Sequence, residues 1–300
     1  MRIVLTGSLG NIGALLTQHL VDANHQVTVI SSKPERKQAI EAIGAAAAIG
    51  SICDVDFLTR TFCGADVVYL METMEAVGDI FDPRIDFIAA ITAIGCNYKT
   101  AVALSGVKQV VHLSSIGADM DVGNGILLFH RRVEQVLLQL PMQVAIKFIR
   151  PVGFYTNLFA SIPTIKKEGL MRSNYAGDTK EPWVSPLDIA EVIAEEINLP
   201  FQGRSVRYVA SDEVSPVEIA ATLGRAIGMP DLQWQVVSDA ELLQNWLAMG
   251  FNPQVAHGFI EMQASQRSGL LYSDYYRHRP KLGKVKLADF AVEFAKQYAE

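Results

Sequence analysis

Three glycines, Gly7, Gly10 and Gly13, stand in GxxGxxG spacing between the short apolar run Ile3–Leu5 and a helix-length segment, with Ser8, Leu9, Asn11 and Ile12 filling the intervals. The spacing suits a bound diphosphate. Gly7 would supply the tight turn, Gly10 would let the main chain approach a pyrophosphate, and Gly13 would let the following helix pack closely on the strand. The anion would then sit on the free N–H groups and the positive dipole end of that helix. Such a motif is weak alone and gains weight from context: a strand before it, an amphipathic helix after it, and a second strand on time. A dinucleotide site at the N-terminal end of the chain is the expectation.

Two further segments refine it. At the end of the second apolar run a carboxylate would bind a ribose diol and repel a 2′-phosphate, but this chain has Ser31, Ser32, Lys33, Pro34, Glu35 and Arg36. Two hydroxyls and two cations, with the nearest acid one helical turn in, suit a phosphate. NADP(H) is therefore expected as cofactor, with NAD(H) the second choice. The run Gly50-Ser51-Ile52-Cys53-Asp54 is placed at the adenine, with Ser51 and Ile52 as its contacts, and Met71-Glu72-Thr73 at the nicotinamide ribose.

The elements that must position these residues are legible as an alternation. Apolar runs at Ile3–Leu5, Val27–Ile30, Ala46–Ile49, Val67–Met71, Val110–Leu113 and Ala145–Ile149 alternate with segments of helical periodicity. Those segments are Ile12–Ala23, Glu35–Ile43, Asp54–Phe62, Pro83–Ser105 and His130–Leu140. Parallel strands joined by crossover helices read this way. After Arg150-Pro151 the pattern loosens into short, proline- and glycine-punctuated pieces rich in aromatic residues. It returns to helix at Asp188–Ile197 and to strand at Val206–Val209. Ser215, Pro216 and Glu218 predict a capped helix to Ile227, and Asp289–Tyr298 a last amphipathic helix. The fold class is α/β, a doubly wound parallel sheet (Rossmann fold) with a smaller, mostly helical C-terminal substrate lobe. The expected division is 1–150 with 188–210 for the dinucleotide-binding part, and 151–187 with 211–300 for the lobe.

Composition sets the outer bounds. The 300 residues are 50% hydrophobic with net charge -6, which gives no basic footprint for direct nucleic-acid binding. Cys53, Cys63 and Cys96 are scattered without metal-ligand spacing and are expected to be buried thiols in a reducing compartment. The first apolar run is too short for a signal peptide, and no window reads as a membrane span. A soluble, cytoplasmic protein, monomer or homodimer, with no metal and no membrane contact, is the expectation.

With these pieces placed, the chain resembles the short-chain dehydrogenase/reductase superfamily in its atypical, NmrA-like branch. The carriers are the three glycines, the strand Val110-Val111-His112-Leu113-Ser114-Ser115, the helix His130-Arg131-Arg132-Val133-Glu134, the segment Ile149 to Asn157, and Ser185-Pro186-Leu187-Asp188-Ile189-Ala190. The resemblance covers essentially the whole length. It implies an NAD(P)-binding fold whose members include quinone reductases, phenylpropanoid reductases and redox-sensing regulators that have lost catalysis. It also implies that Ser114 orients a substrate oxygen, that Leu113 and Pro151 adjoin the cofactor, and that Tyr155 and Asn157 line the substrate cavity. Met74, Ile116, Phe154 and Trp183 are the other expected walls.

The sequence departs from the superfamily where acid catalysis is usual. No tyrosine lies between Ser114 and Phe154, and Lys147, in a strand, is the only lysine between 110 and 165. The Tyr-x-x-x-Lys pair is missing. His130 could protonate a bound oxygen or hold the nicotinamide ribose; it could equally be a helix N-terminal histidine bonded to a neighbouring loop. The leading expectation is hydride transfer to a quinone-like small-molecule acceptor, which needs orientation more than a strong protein acid. The second is a non-catalytic NADP(H) sensor acting through a protein partner; a nucleotide-sugar epimerase or dehydratase is third. The run Leu270 to Pro280, with three tyrosines, Arg277, His278 and Arg279, is either a lid over an anionic or aromatic ligand or a surface loop.

Overall fold

The computed structural model describes residues 1–175 and 177–300. The apolar runs form β1 (Arg2–Leu5), β2 (Gln26–Ser31), β3 (Ala46–Ile49), β4 (Val67–Leu70), β5 (Gln109–Leu113) and β6 (Ala145–Pro151). Helices α1 (Gly13–Asp22), α2 (Lys37–Ala42), α3 (Val55–Phe62), α4 (Phe87–Ser105) and α5 (Leu128–Leu137) join them. Two of the starts have a side-chain cap. The side chain of Asp54 accepts from Phe57 N at the head of α3, and that of Asp86 accepts from Ala89 N at the head of α4. The glycine loop enters α1 with no side-chain cap and no acid in its first turn.

Beyond β6 come β7 (Gly153–Phe154), α6 (Ile162–Glu168), β8 (Leu170–Ser173), β9 (Glu181–Val184), α7 (Pro186–Asn198) and β10 (Arg204–Val209). Strand β10 rejoins the main sheet, which has the order β10-β6-β5-β4-β1-β2-β3 and parallel pairing throughout. Connections from β1 run one way through β2 and the other way through β4. The strand order therefore reverses beside β1, which is where a crevice opens at the carboxyl ends of the strands.

The sheet is buried on both faces, as parallel sheets with crossover helices must be. Ile3, Leu5 and Val29 pack with Leu16 and Leu20 of α1 and Ile189 and Ile193 of α7. Val4, Ile30, Val68 and Leu70 pack with Leu58 and Phe62 of α3, Ile91 and Tyr98 of α4, and Val133 of α5. Helix α4 corrects one expectation: at 19 residues and mean hydropathy 1.4 it is long and apolar enough to cross a membrane by length and composition. Its buried residues, among them Phe87, Ile91, Ile94, Tyr98 and Val102, nevertheless belong to this second core. A second correction concerns the thiols: Cys53, Cys63 and Cys96 are all exposed, because each lies at a helix end or outer face rather than on a core-facing position.

The rest of the chain forms β11 (Asp212–Val214), α8 (Pro216–Ala226), β12 (Gln233–Val236), α9 (Asp239–Ala248), α10 (Pro253–Ser268), α11 (Ser273–Arg277) and α12 (Leu287–Ala299). The expected Ser215/Glu218 capping box is present at α8. A three-stranded sheet β11-β9-β7 and a two-stranded sheet β12-β8 extend above the main sheet. Tyr155, Trp183, Ile219, Leu223, Phe290 and Phe294 make a third core there. This region roofs the carboxyl ends of β5 and β6.

Candidate functional site

The three glycines are held to glycine for different reasons. Gly7 has φ +91°, and a Cβ on it would collide with the Met71 sulfur. A Cβ on Gly13 would collide with the Ser8 carbonyl oxygen, so helix and loop approach there without side chains between them. At Gly10 the only neighbour among the described residues that a Cβ would meet is the Gly7 carbonyl oxygen, 3.5 Å away, an ordinary contact that leaves room for a side chain. Gly10 and Asn11 are exposed, and the N–H groups of Gly10, Asn11 and Ile12 have no acceptor among the described residues. Ser8, at φ +55°, turns the loop beside them, and Leu9 is half-buried on the first core. An open cradle of unpaired donors at an uncapped helix start fits a pyrophosphate.

The strand end at residues 31–36 splits the expected phosphate clamp. Ser31 is buried, its hydroxyl donating toward Lys33 O and accepting from Ser8 Oγ at 3.0 Å and from Lys33 N at 3.2 Å, so it shapes the loop. Ser32, Lys33 and Arg36 are exposed, and neither cation is in an ion pair among the described residues. Ser51 accepts from Cys53 N, and Ile52 packs against the second core beside Phe57. Met71 is pinned by its backbone: its N–H donates to Thr6 Oγ1 at 2.8 Å and its carbonyl accepts from Tyr98 Oη at 2.6 Å. Thr73 caps the turn that follows.

Five sequence-derived assignments are corrected. Glu72 does not face a ribose: its carboxylate is fully buried, with both oxygens 3.1 Å from His112 Nε2. Ser114 points away from the cavity because side chains alternate along β5, and its hydroxyl donates to Glu134 Oε1 at 2.6 Å. Met74 packs against the second core. Tyr155 is fully buried in the third core, stacked on Phe290 at 5.2 Å and parallel to Trp183 at 6.3 Å. His130 is partly buried against Phe129, its Nδ1 is sealed without a partner, and burial lowers its pKa to about 3. Its imidazole is neutral at physiological pH and is no source of an acidic proton.

Glu134 anchors more than Ser114. Arg150, on β6, donates to both of its oxygens, at 3.0 and 2.7 Å, and also to Tyr208 Oη on β10. The guanidinium, held charged by the Glu134 carboxylate despite its burial, lies 3.5 Å from Asp274 on α11. Leu113 and Pro151 end β5 and β6 and contribute main chain, Ile116 N donating to Pro151 O at 2.9 Å.

A cavity of about 890 Å³ opens above these strand ends. Ile116, Phe154, Asn157 and Trp183 are among the residues that line it, and Ser115, one residue beyond Ser114, lines it in place of Ser114. Residues far along the chain complete the wall: Trp234, Trp246, Met262, Gln263, Gln266 and Tyr272. Gln266 lies four residues after Met262 and three after Gln263 on α10, and that spacing was the available sign of a shared face. Trp183 Nε1 and Gln263 Oε1 are buried without partners among the described residues, a donor and an acceptor left for a ligand. Among the described residues no cluster of His, Cys, Asp and Glu is arranged to hold a metal.

A glycine loop at the turning point of a parallel sheet, with a cavity over the next strand ends, defines a nicotinamide-dinucleotide-binding Rossmann protein. The NAD(P)H-binding family profile matches residues 7–200, and the chain belongs to that NmrA-like family. Among solved structures it is similar to an NADPH-dependent quinone oxidoreductase of Escherichia coli in complex with NADPH, at 20% identity and TM-score 0.74 over 97% of this chain and 99% of that one. It is similar also to a nucleoside-diphosphate-sugar epimerase of Staphylococcus aureus, at 16% identity and TM-score 0.74 over 97% and 100% of the two chains. The triphenylmethane reductase of a Citrobacter species, in complex with NADP(H), matches at 20% identity and TM-score 0.73 over 98% and 99%. At these identities the likeness is one of fold.

Proposed function

We propose that the protein is an NADP(H)-dependent reductase that delivers hydride to a conjugated, quinone-like small molecule. The observation that carries this reading is the cavity over β5 and β6, walled by aromatic and methionine side chains with a few polar groups set among them. When bound, the dinucleotide supplies a hydride at the nicotinamide ring. The protein's part is to hold it: Gly7 to Gly13 around the pyrophosphate, Ser32, Lys33 and Arg36 at the 2′-phosphate, Ser51 and Ile52 at the adenine, and the Met71–Thr73 backbone at the ribose. Ile116, Phe154 and Trp183 would sandwich a flat acceptor and exclude water, while Ser115 and Asn157 would orient its oxygen. The neutral His130 would serve the nicotinamide ribose by hydrogen bonding.

The test is NADPH consumption by the purified protein against a panel of quinones, with NADH beside it. Turnover is expected, with NADPH favoured. Tight NADPH binding with no turnover on any acceptor would point instead to a non-catalytic sensor of the NADP(H) pool.

A further inference from the structure

Behind the cavity wall lies a buried acid, Glu181, whose two hydrogen-bond partners line the cavity. Glu181, on β9, is buried, and its Oε2 accepts from Tyr272 Oη at 2.8 Å and from Gln266 Nε2 at 3.1 Å. Gln266 Nε2 also donates to Tyr272 Oη at 3.0 Å, closing a triangle. Tyr272 and Gln266 both line the cavity that Ser115, Ile116 and Phe154 line from the sheet side. No cation is paired with Glu181 among the described residues; the adjacent Lys180 is paired with Glu218.

We infer that Tyr272 is the proton donor of the reduction and that Glu181 is the positioning residue that recharges it, replacing from the C-terminal lobe the acid absent from α5. This rests on the proposed reductase activity. The hydrogen-bond capacities support it. A tyrosine hydroxyl has one donor and two acceptor positions. With Glu181 ionised, the Tyr272 proton is committed to the carboxylate. With Glu181 protonated, the carboxyl donates to Tyr272 Oη, Gln266 fills the second acceptor position, and the Tyr272 O–H is released toward the cavity. Burial raises the Glu181 pKa, which favours that second arrangement.

The step balances. The acceptor takes a hydride from the nicotinamide at its conjugated system, and its oxygen takes the Tyr272 proton as charge develops there. The Tyr272 oxygen takes the Glu181 proton, and the Glu181 carboxylate is reprotonated from solvent. The titratable groups facing Glu181 are Tyr175, Tyr272 and Tyr276, all of them tyrosines with pKa values raised by burial. Tyr276 in turn faces Glu213 and Arg279, which are paired with each other. The carboxyl is therefore the group of this cluster that titrates first as pH rises.

Two acceptors separate the relay from a structural role. A para-quinone needs one proton with its hydride; a cationic triarylmethane dye is neutralised by hydride alone and needs none. With the full-length protein and NADPH, Tyr272→Phe is expected to lower kcat on the quinone at least tenfold and to leave kcat on the dye within twofold. Glu181→Gln, which keeps the hydrogen bonds but holds no transferable proton, is expected to abolish the decline of quinone kcat as pH rises through the raised Glu181 pKa. Equal losses on both acceptors, or an unchanged pH profile in Glu181→Gln, would overturn the relay. Reduction of neither acceptor by the unaltered protein would overturn the reductase reading, and the relay with it. Reduction by both with wild-type quinone kcat in Tyr272→Phe would overturn the relay alone.

Discussion

The glycine loop separates two demands that sequence alone presents together. Gly7 and Gly13 are glycine because the protein's own atoms, the Met71 sulfur and the Ser8 carbonyl, occupy the space of a side chain; Gly10 has no such neighbour. Gly10→Val should therefore leave the thermal midpoint of the unliganded protein nearly unchanged while weakening NADPH binding at least tenfold by titration. Gly13→Val should lower the midpoint itself, because the clash costs ~1–3 kcal/mol of folding free energy. Equal losses of stability in the two variants would refute the distinction. Residues 7 to 13 were legible because their spacing is a local property of the chain. Ser114, Glu72 and Tyr155 were misread for one physical reason: which side of a strand or turn a side chain leaves is fixed by register, and one position decides between cavity and core. Ser115 shows the size of that error.

At the level of elements, alternating apolar runs were enough to order the sheet, since parallel strands buried on both faces leave continuous hydrophobic stretches. What they could not show is how the later helices return to it. Tyr272 sits 91 positions from Glu181, and Asp274 sits 124 positions from Arg150, distances over which no periodicity carries information. The Ser114, Glu134, Arg150, Tyr208 and Asp274 network ties α5, β5, β6, β10 and α11 into one unit around a buried ion pair. Removing one charge strands the other. Glu134→Ala should destabilise the protein by about 3–5 kcal/mol in denaturant unfolding, because Arg150 keeps its charge with its main partner gone. The double variant Glu134→Leu with Arg150→Met should recover a large part of that loss. A cost under about 1 kcal/mol for the single variant would mean that Asp274 and Tyr208 carry the guanidinium unaided.

For the whole molecule, acid stability depends on which groups the fold keeps from protonating. His130 falls from an ordinary value of 6.5 to about 3, mainly through burial and secondarily through His112 nearby. A base with a depressed folded pKa binds its proton in the unfolded chain first. Its contribution is therefore nil well above pH 6.5, and it destabilises the fold progressively as pH drops from 6.5 toward 3. Between pH 7 and pH 5 that penalty amounts to about 2 kcal/mol for this group. Glu181 works in the opposite direction: its raised folded pKa makes the fold lose stability as pH rises from the ordinary carboxylate value through the raised one. Removing the imidazole isolates the first effect. His130→Phe, which can keep the ring stack on Phe129, should reduce the difference in unfolding free energy between pH 7 and pH 5 by about 2 kcal/mol while changing the pH 7 value little. Denaturant melts at the two pH values, made on the nucleotide-free protein, measure it directly. An unchanged difference would show that His130 protonates in the folded state at ordinary pH, and it would return the histidine to the set of available acids.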